Sequence, residues 1–179
     1  MASETHQEFV ESEREVTIPV SVVLERIIDT SKKWVLPQWN GYAVVTGKHI
    51  QHNQQCVLIH DDGITCRYIW GGLIVHLYKD GGEGYWYNLL SDKPHLFVIC
   101  EGDQGQMDVE PAFITANQDE ATGYMEADRL VLSVPMPEDI CLIVENYVVS
   151  HYLPREKKKR KRREWLTDSE YAKRSSQAH

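Results

Sequence analysis

At 179 residues, 42% hydrophobic and 26% charged, the chain has the makeup of one folded domain and is too short to expect two. No run reaches the roughly 18 to 20 apolar residues of a membrane-spanning helix, and the N-terminus lacks the basic-then-apolar order of an export signal, so a soluble cytoplasmic protein is expected. The net charge of −8 is unevenly divided: residues 1–154 carry 9 Lys and Arg against 23 Asp and Glu, and residues 155–179 carry 10 against 4, so an acidic body ends in a basic tail.

Residues 1–15 are polar and acidic and are expected to be flexible. Val16 to Arg26 is rich in β-branched residues that alternate at Val16, Ile18, Val20 and Val22, which predicts a strand with Pro19 at an edge or early position. Trp34 and Trp39 bracket a proline-containing turn, and Gly41 to Thr46 reads as the next strand. His49 to Gly63 reads as a loop around a short strand at Cys56–Ile59, and Tyr68 to Tyr78 as a third strand with a bulge at Gly71-Gly72. Gly81-Gly82-Glu83-Gly84 then predicts a hairpin turn into a strand at Tyr85 to Leu90.

A further strand is predicted at His95 to Cys100, then an acidic loop at Gly102 to Asp108 and a short strand ending near Ile114. Thr115 or Asn117 is placed to cap a short helix over Asp119 to Met125, and Val131 to Val134 reads as extended. Pro137 to Leu153 is predicted as a longer helix with Ile140, Ile143, Val144, Tyr147 and Val148 on one face, a strand being the alternative because its valines are poor helix formers. The resulting class is α+β: about six mainly antiparallel strands in a small barrel or strongly bent sheet, then one short and one longer C-terminal helix. Residues 16–154 form the single domain and 155–179 an exposed basic tail.

Candidate chemistry is sparse. His49, His52, Cys56 and His60 place four metal-type ligands in one segment, but their spacing fits no familiar zinc module and surface polar residues are the preferred reading. The glycines at 81–84 suit a turn better than a phosphate cradle, which needs a helix N-terminus. The Trp and Tyr residues suit a core better than a base-stacking platform, because the body around them carries few basic residues. Cys56, Cys66, Cys100 and Cys141 form no CxxC pair and are expected to be reduced and packed. No GxSxG occurs and no carboxylate pair is placed on one face, so no catalytic residue and no cofactor is expected. Arg155, Lys157, Lys158, Lys159, Arg160, Lys161, Arg162 and Arg163 suit an acidic protein surface, a nucleic acid, or solvation alone.

Four segments then resemble a proteobacterial family labelled domain of unknown function 3305. They are Ile18 to Arg26, Trp34-x4-Trp39, Glu83 to Leu89, and the closing cassette Val134 to Ile140 through His151-Tyr152-Leu153-Pro154 into Lys157 to Arg162. Genes of that family sit beside those for molybdenum- or tungsten-containing formate dehydrogenase. The resemblance therefore implies a non-catalytic accessory protein whose partner is such an enzyme or its assembly factors. The alternatives are a nucleic-acid-binding module using the tail, and a metal carrier or uncatalogued enzyme using His49, His52, Cys56 and His60.

Overall fold

The computed structural model describes residues 15–28, 31, 36–47 and 55–152. Residues 1–14, Trp34, His49, His52 and the whole basic tail lie outside that set. Strand β1 (Glu15–Ile27) is the organising element, because its β-branched run pairs antiparallel with β4 (Thr65–Tyr78) along its whole length. Its second half, Ser21 to Ile27, also pairs with β2 (Gln38–Val45), so Pro19 lies where β1 is paired on one side only and needs no second ladder. Strand β3 (Cys56–Asp61) adds to the first part of β4.

The predicted bulge forms. Val20 faces Leu73 and Val22 faces Trp70, so Gly71 and Gly72 together oppose Ser21, and Gly72 takes a φ of 75°. The extra residue keeps Val20, Val22 and Leu24 in phase with Val75 and Leu77, and all five are fully buried.

The glycine-rich segment departs from expectation. A 3-10 turn at Lys79–Gly81 leads into helix α1 (Gly82–Leu89), not a hairpin and strand. Glycine is costly inside a helix, so packing must decide the outcome. A Cβ on Gly82 would collide with Tyr152, and one on Gly84 with the Asn117 side chain. The glycines therefore serve close approach, while Tyr85 and Asn88 point one face of α1 inward. The Tyr85 hydroxyl accepts the Tyr78 N–H at 3.0 Å.

Helix α1 delivers the chain to β5 (His95–Glu101), two strand positions from β4. Strand β6 (Glu110–Thr115) turns back from β5 into the intervening place and meets β4 in parallel, at Val75 and Ile114. The sheet is thus mixed, with seven strands, and not purely antiparallel. Its order is β2-β1-β4-β6-β5-β7, with β7 (Leu130–Pro135) antiparallel to β5. The ends nearly meet, since a Cβ on Gly41 of β2 would strike the Ser133 carbonyl of β7. The result is a nearly closed barrel.

Asn117, and not Thr115, caps helix α2 (Gln118–Glu126) by accepting the Asp119 and Glu120 N–H groups. Helix α3 (Glu138–His151) replaces the strand alternative and buries Ile140, Val144, Tyr147 and Val148. Ile143 does not join that face and is 38% exposed. Among the described residues there are thus three α-helices, α1 being the one the sequence pattern hides.

Burial pushes the Cys100 thiol from 9.0 to about 12. It likewise pushes the Tyr85 hydroxyl from 10.0 to about 12, against the lowering effect of its bond from Tyr78. Each group is neutral when protonated and holds its proton more tightly in the fold. Their contribution is therefore complete below the unfolded values and is lost as pH rises from about 9 toward 12. Denaturant midpoints should fall over that range, and less steeply in Cys100→Ala. Parallel curves for the two proteins would exclude the Cys100 share.

Candidate functional site

Strands β4 and β6 pair only at Val75 and Ile114, so on either side of that contact their edges are not held together. A surface groove of about 510 Å³ follows this division. Gly71 to Ile74 and Glu110 to Thr115 line it consecutively, not at every second position. Alternate residues would mark the face of a strand; consecutive ones mark its edge. The Val75–Ile114 contact crosses the groove, and near its two ends the Gly71 N–H is bonded to the Gln55 carbonyl at 3.4 Å and the Tyr78 N–H to the Tyr85 hydroxyl at 3.0 Å.

The groove's chemistry is acidic and aromatic. Glu110 stands toward one end with Cys56, and Glu120 toward the other with Tyr78. Among the described residues no Lys or Arg lines it. His76 Nδ1 hydrogen-bonds the Glu15 carboxylate, which accepts at 2.7 Å, and its ring stacks on Tyr78 with centroids 5.8 Å apart. Glu120 accepts from Thr115 Oγ1 at 2.7 Å.

These groups do not assemble into a catalytic set. The Cys56 thiol is raised by desolvation and then by the Glu110 carboxylate, which disfavours the nucleophilic thiolate. Cys56 is exposed, contrary to the expectation that all four cysteines are packed; Cys66 and Cys100 are buried and Cys141 is half-buried. Cys56 and His60 both lie on β3, where His60 faces Asp62 at 3.4 Å. His49 and His52 lie outside the described residues, and among the described ones no three His, Cys, Asp or Glu side chains converge as a metal site. The tail residues Arg155, Lys157 to Arg163 are likewise outside them.

Trp70, at one end of the groove, also packs with Trp39 and Tyr68, their centroids 5.7 to 6.3 Å apart. Arg26 lies over Trp39 and Tyr68 at 5.8 and 5.2 Å and donates to the Met107 carbonyl. Gln104 clamps Trp39 by bonding both its backbone N–H and C=O, at 2.9 and 2.7 Å. The acidic loop therefore fastens the barrel there, and Trp39 and Trp70 serve the core. Tyr42, Tyr78 and Tyr87 remain exposed.

A model described as a protein of unknown function (DUF3305) matches residues 19–161, most of the chain and every strand from Pro19 onward. The chain belongs to the DUF3305 family. No curated protein and no solved structure matches this DUF3305 chain. Among its described residues no helix is long and apolar enough to cross a membrane. The groove had no signature in the sequence, because it arises from pairing that β4 and β6 fail to make.

Proposed function

We propose that this DUF3305 protein is a non-catalytic cytoplasmic accessory factor. It assists maturation, assembly or regulation of a molybdenum- or tungsten-containing formate dehydrogenase-type enzyme through protein–protein contacts. The observation that carries a docking role is the acidic, aromatic groove of about 510 Å³ between β4 and β6, open on the surface where the two strands pair at one position. The choice of enzyme rests on the resemblance of the closing cassette, from Val134 to Arg162, to a family encoded beside formate dehydrogenase genes. In this reading the acidic body offers one docking surface and the basic tail from Arg155 to Arg163 the other, the tail seeking an acidic face of the partner.

Affinity capture of the tagged full chain from its native host, followed by mass spectrometry, tests this. Subunits of the enzyme or its assembly factors should be enriched by the wild-type chain, and less so when Lys157, Lys158, Lys159 and Lys161 are replaced by Gln. Capture that enriches neither the enzyme nor its assembly factors would overturn the reading.

A further inference from the structure

We infer that, in the free protein, the groove between β4 and β6 is occupied by the chain's own basic segment 155–163. The inference rests on the docking reading above and adds a self-masking step to it. Charge comes first. The groove carries Glu110 and Glu120 near its two ends, Glu15 reaches it through His76, and among the described residues no Lys or Arg lines it. Residues 155–163 hold eight Lys and Arg against Glu156. Opposite charges tethered on one chain meet at high effective concentration.

The point of departure also fits. The described chain ends at Tyr152, which packs against Gly82 at the start of α1, four residues after Tyr78 at the end of the groove. The groove runs along β4 from Trp70 to Tyr78. Eight strand rises of about 3.3 Å span about 26 Å. Nine extended residues reach about 30 Å, so segment 155–163 matches the groove's length. Entering beside Tyr78, the segment runs antiparallel to β4, with Lys157 and Lys158 toward Glu120 and Lys161 to Arg163 toward Glu110. Exposed Tyr78 and half-buried Phe113 offer rings on which guanidinium groups can lie.

The consequence is mutual masking. The tail covers the acidic and aromatic lining of the groove, and the groove holds the tail until a partner with a denser acidic face draws it out. The free protein then has little exposed basic charge with which to bind nucleic acid.

Zero-length carbodiimide cross-linking of the full wild-type chain tests the contact, because it joins only lysines and carboxylates that touch. The chain is used as a mixture of ¹⁴N and ¹⁵N protein, so that mass spectrometry separates links within one chain from links between two. The expected result is links from Lys157 or Lys158 to Glu120, and from Lys161 to Glu110, within single-isotope products. Their yield should fall about tenfold as salt rises from about 0.1 to 1 M and the screening length drops from about 10 to 3 Å. The variant Glu110→Gln with Glu120→Gln should lose both links while keeping the wild-type circular dichroism. Tail lysines that link only elsewhere, links that persist in high salt, or mixed-isotope links would overturn the inference. Such failure leaves the function reading to be judged by capture, just as failed capture leaves the tail–groove contact to be judged here.

Discussion

Replacing Val144 by Asp should unfold the domain at room temperature, whereas Glu145→Ala should leave it almost unchanged. Val144 is fully buried in α3 among Ile140, Tyr147 and Val148, and Tyr147 meets Tyr85 of α1 edge-on with centroids 6.3 Å apart. The substitution removes a packed branched side chain, worth about 1.5–3 kcal/mol. It also places a carboxyl group where no partner waits, which costs several kcal/mol more even if the group protonates. Against a typical stability of about 5–15 kcal/mol, that loss is large enough to shift most molecules to the unfolded state. Glu145, one residue on, faces solvent. Thermal melts followed by circular dichroism check the pair; equal melting temperatures would show that α3 is not part of the core.

Asn88→Leu should cost about 3 kcal/mol or more, although leucine is the better helix former. The Asn88 side chain donates to the carbonyls of His95 and Ala116, at 2.7 and 2.8 Å, and accepts the His95 N–H at 3.0 Å. One buried amide therefore ties α1 to the start of β5 and to the end of β6. Leucine fills a similar volume but leaves three backbone groups without partners, each unsatisfied group costing about 1–3 kcal/mol. Ser91→Ala, which removes a single bond to the Asn88 carbonyl at an exposed residue, should cost under about 1 kcal/mol. Urea midpoints measure both. A midpoint for Asn88→Leu as high as that of Ser91→Ala would remove Asn88 from this role.

These two residues mark the limits of sequence reading in this fold. Val144 was legible, because apolar side chains at helical spacing between Pro137 and Pro154 specify a buried face. Strands β1 to β7 were legible for the same kind of reason, through β-branched residues and turn chemistry, and the Gly71-Gly72 bulge followed from local backbone freedom. Asn88 was not. Its helix is written in glycines and aromatics, whose intrinsic preferences point to a turn and a strand, and only contacts with Asn117 and Tyr152 make those glycines useful. The parallel meeting of β4 and β6 was hidden too, because pairing between strands far apart in sequence leaves no local pattern. The groove follows from that meeting and shared its invisibility. Of the residues singled out by chemistry, Cys56, Trp70 and Tyr78 line the groove among the described residues, Cys56 with a raised thiol.

Charge should bring this protein to its partner. The most direct measurement is surface binding kinetics between the full chain and a formate dehydrogenase-type enzyme purified from the same host, at low and physiological ionic strength. A chain with Lys157 to Arg163 replaced by Gln serves as the comparison. The expected result is saturable binding by the wild-type chain, with association slowed both by those replacements and by salt, since exposed charges are screened beyond about 8 Å at physiological salt. Binding with the same rate and affinity for both chains at every salt concentration, or no binding by either, would contradict it.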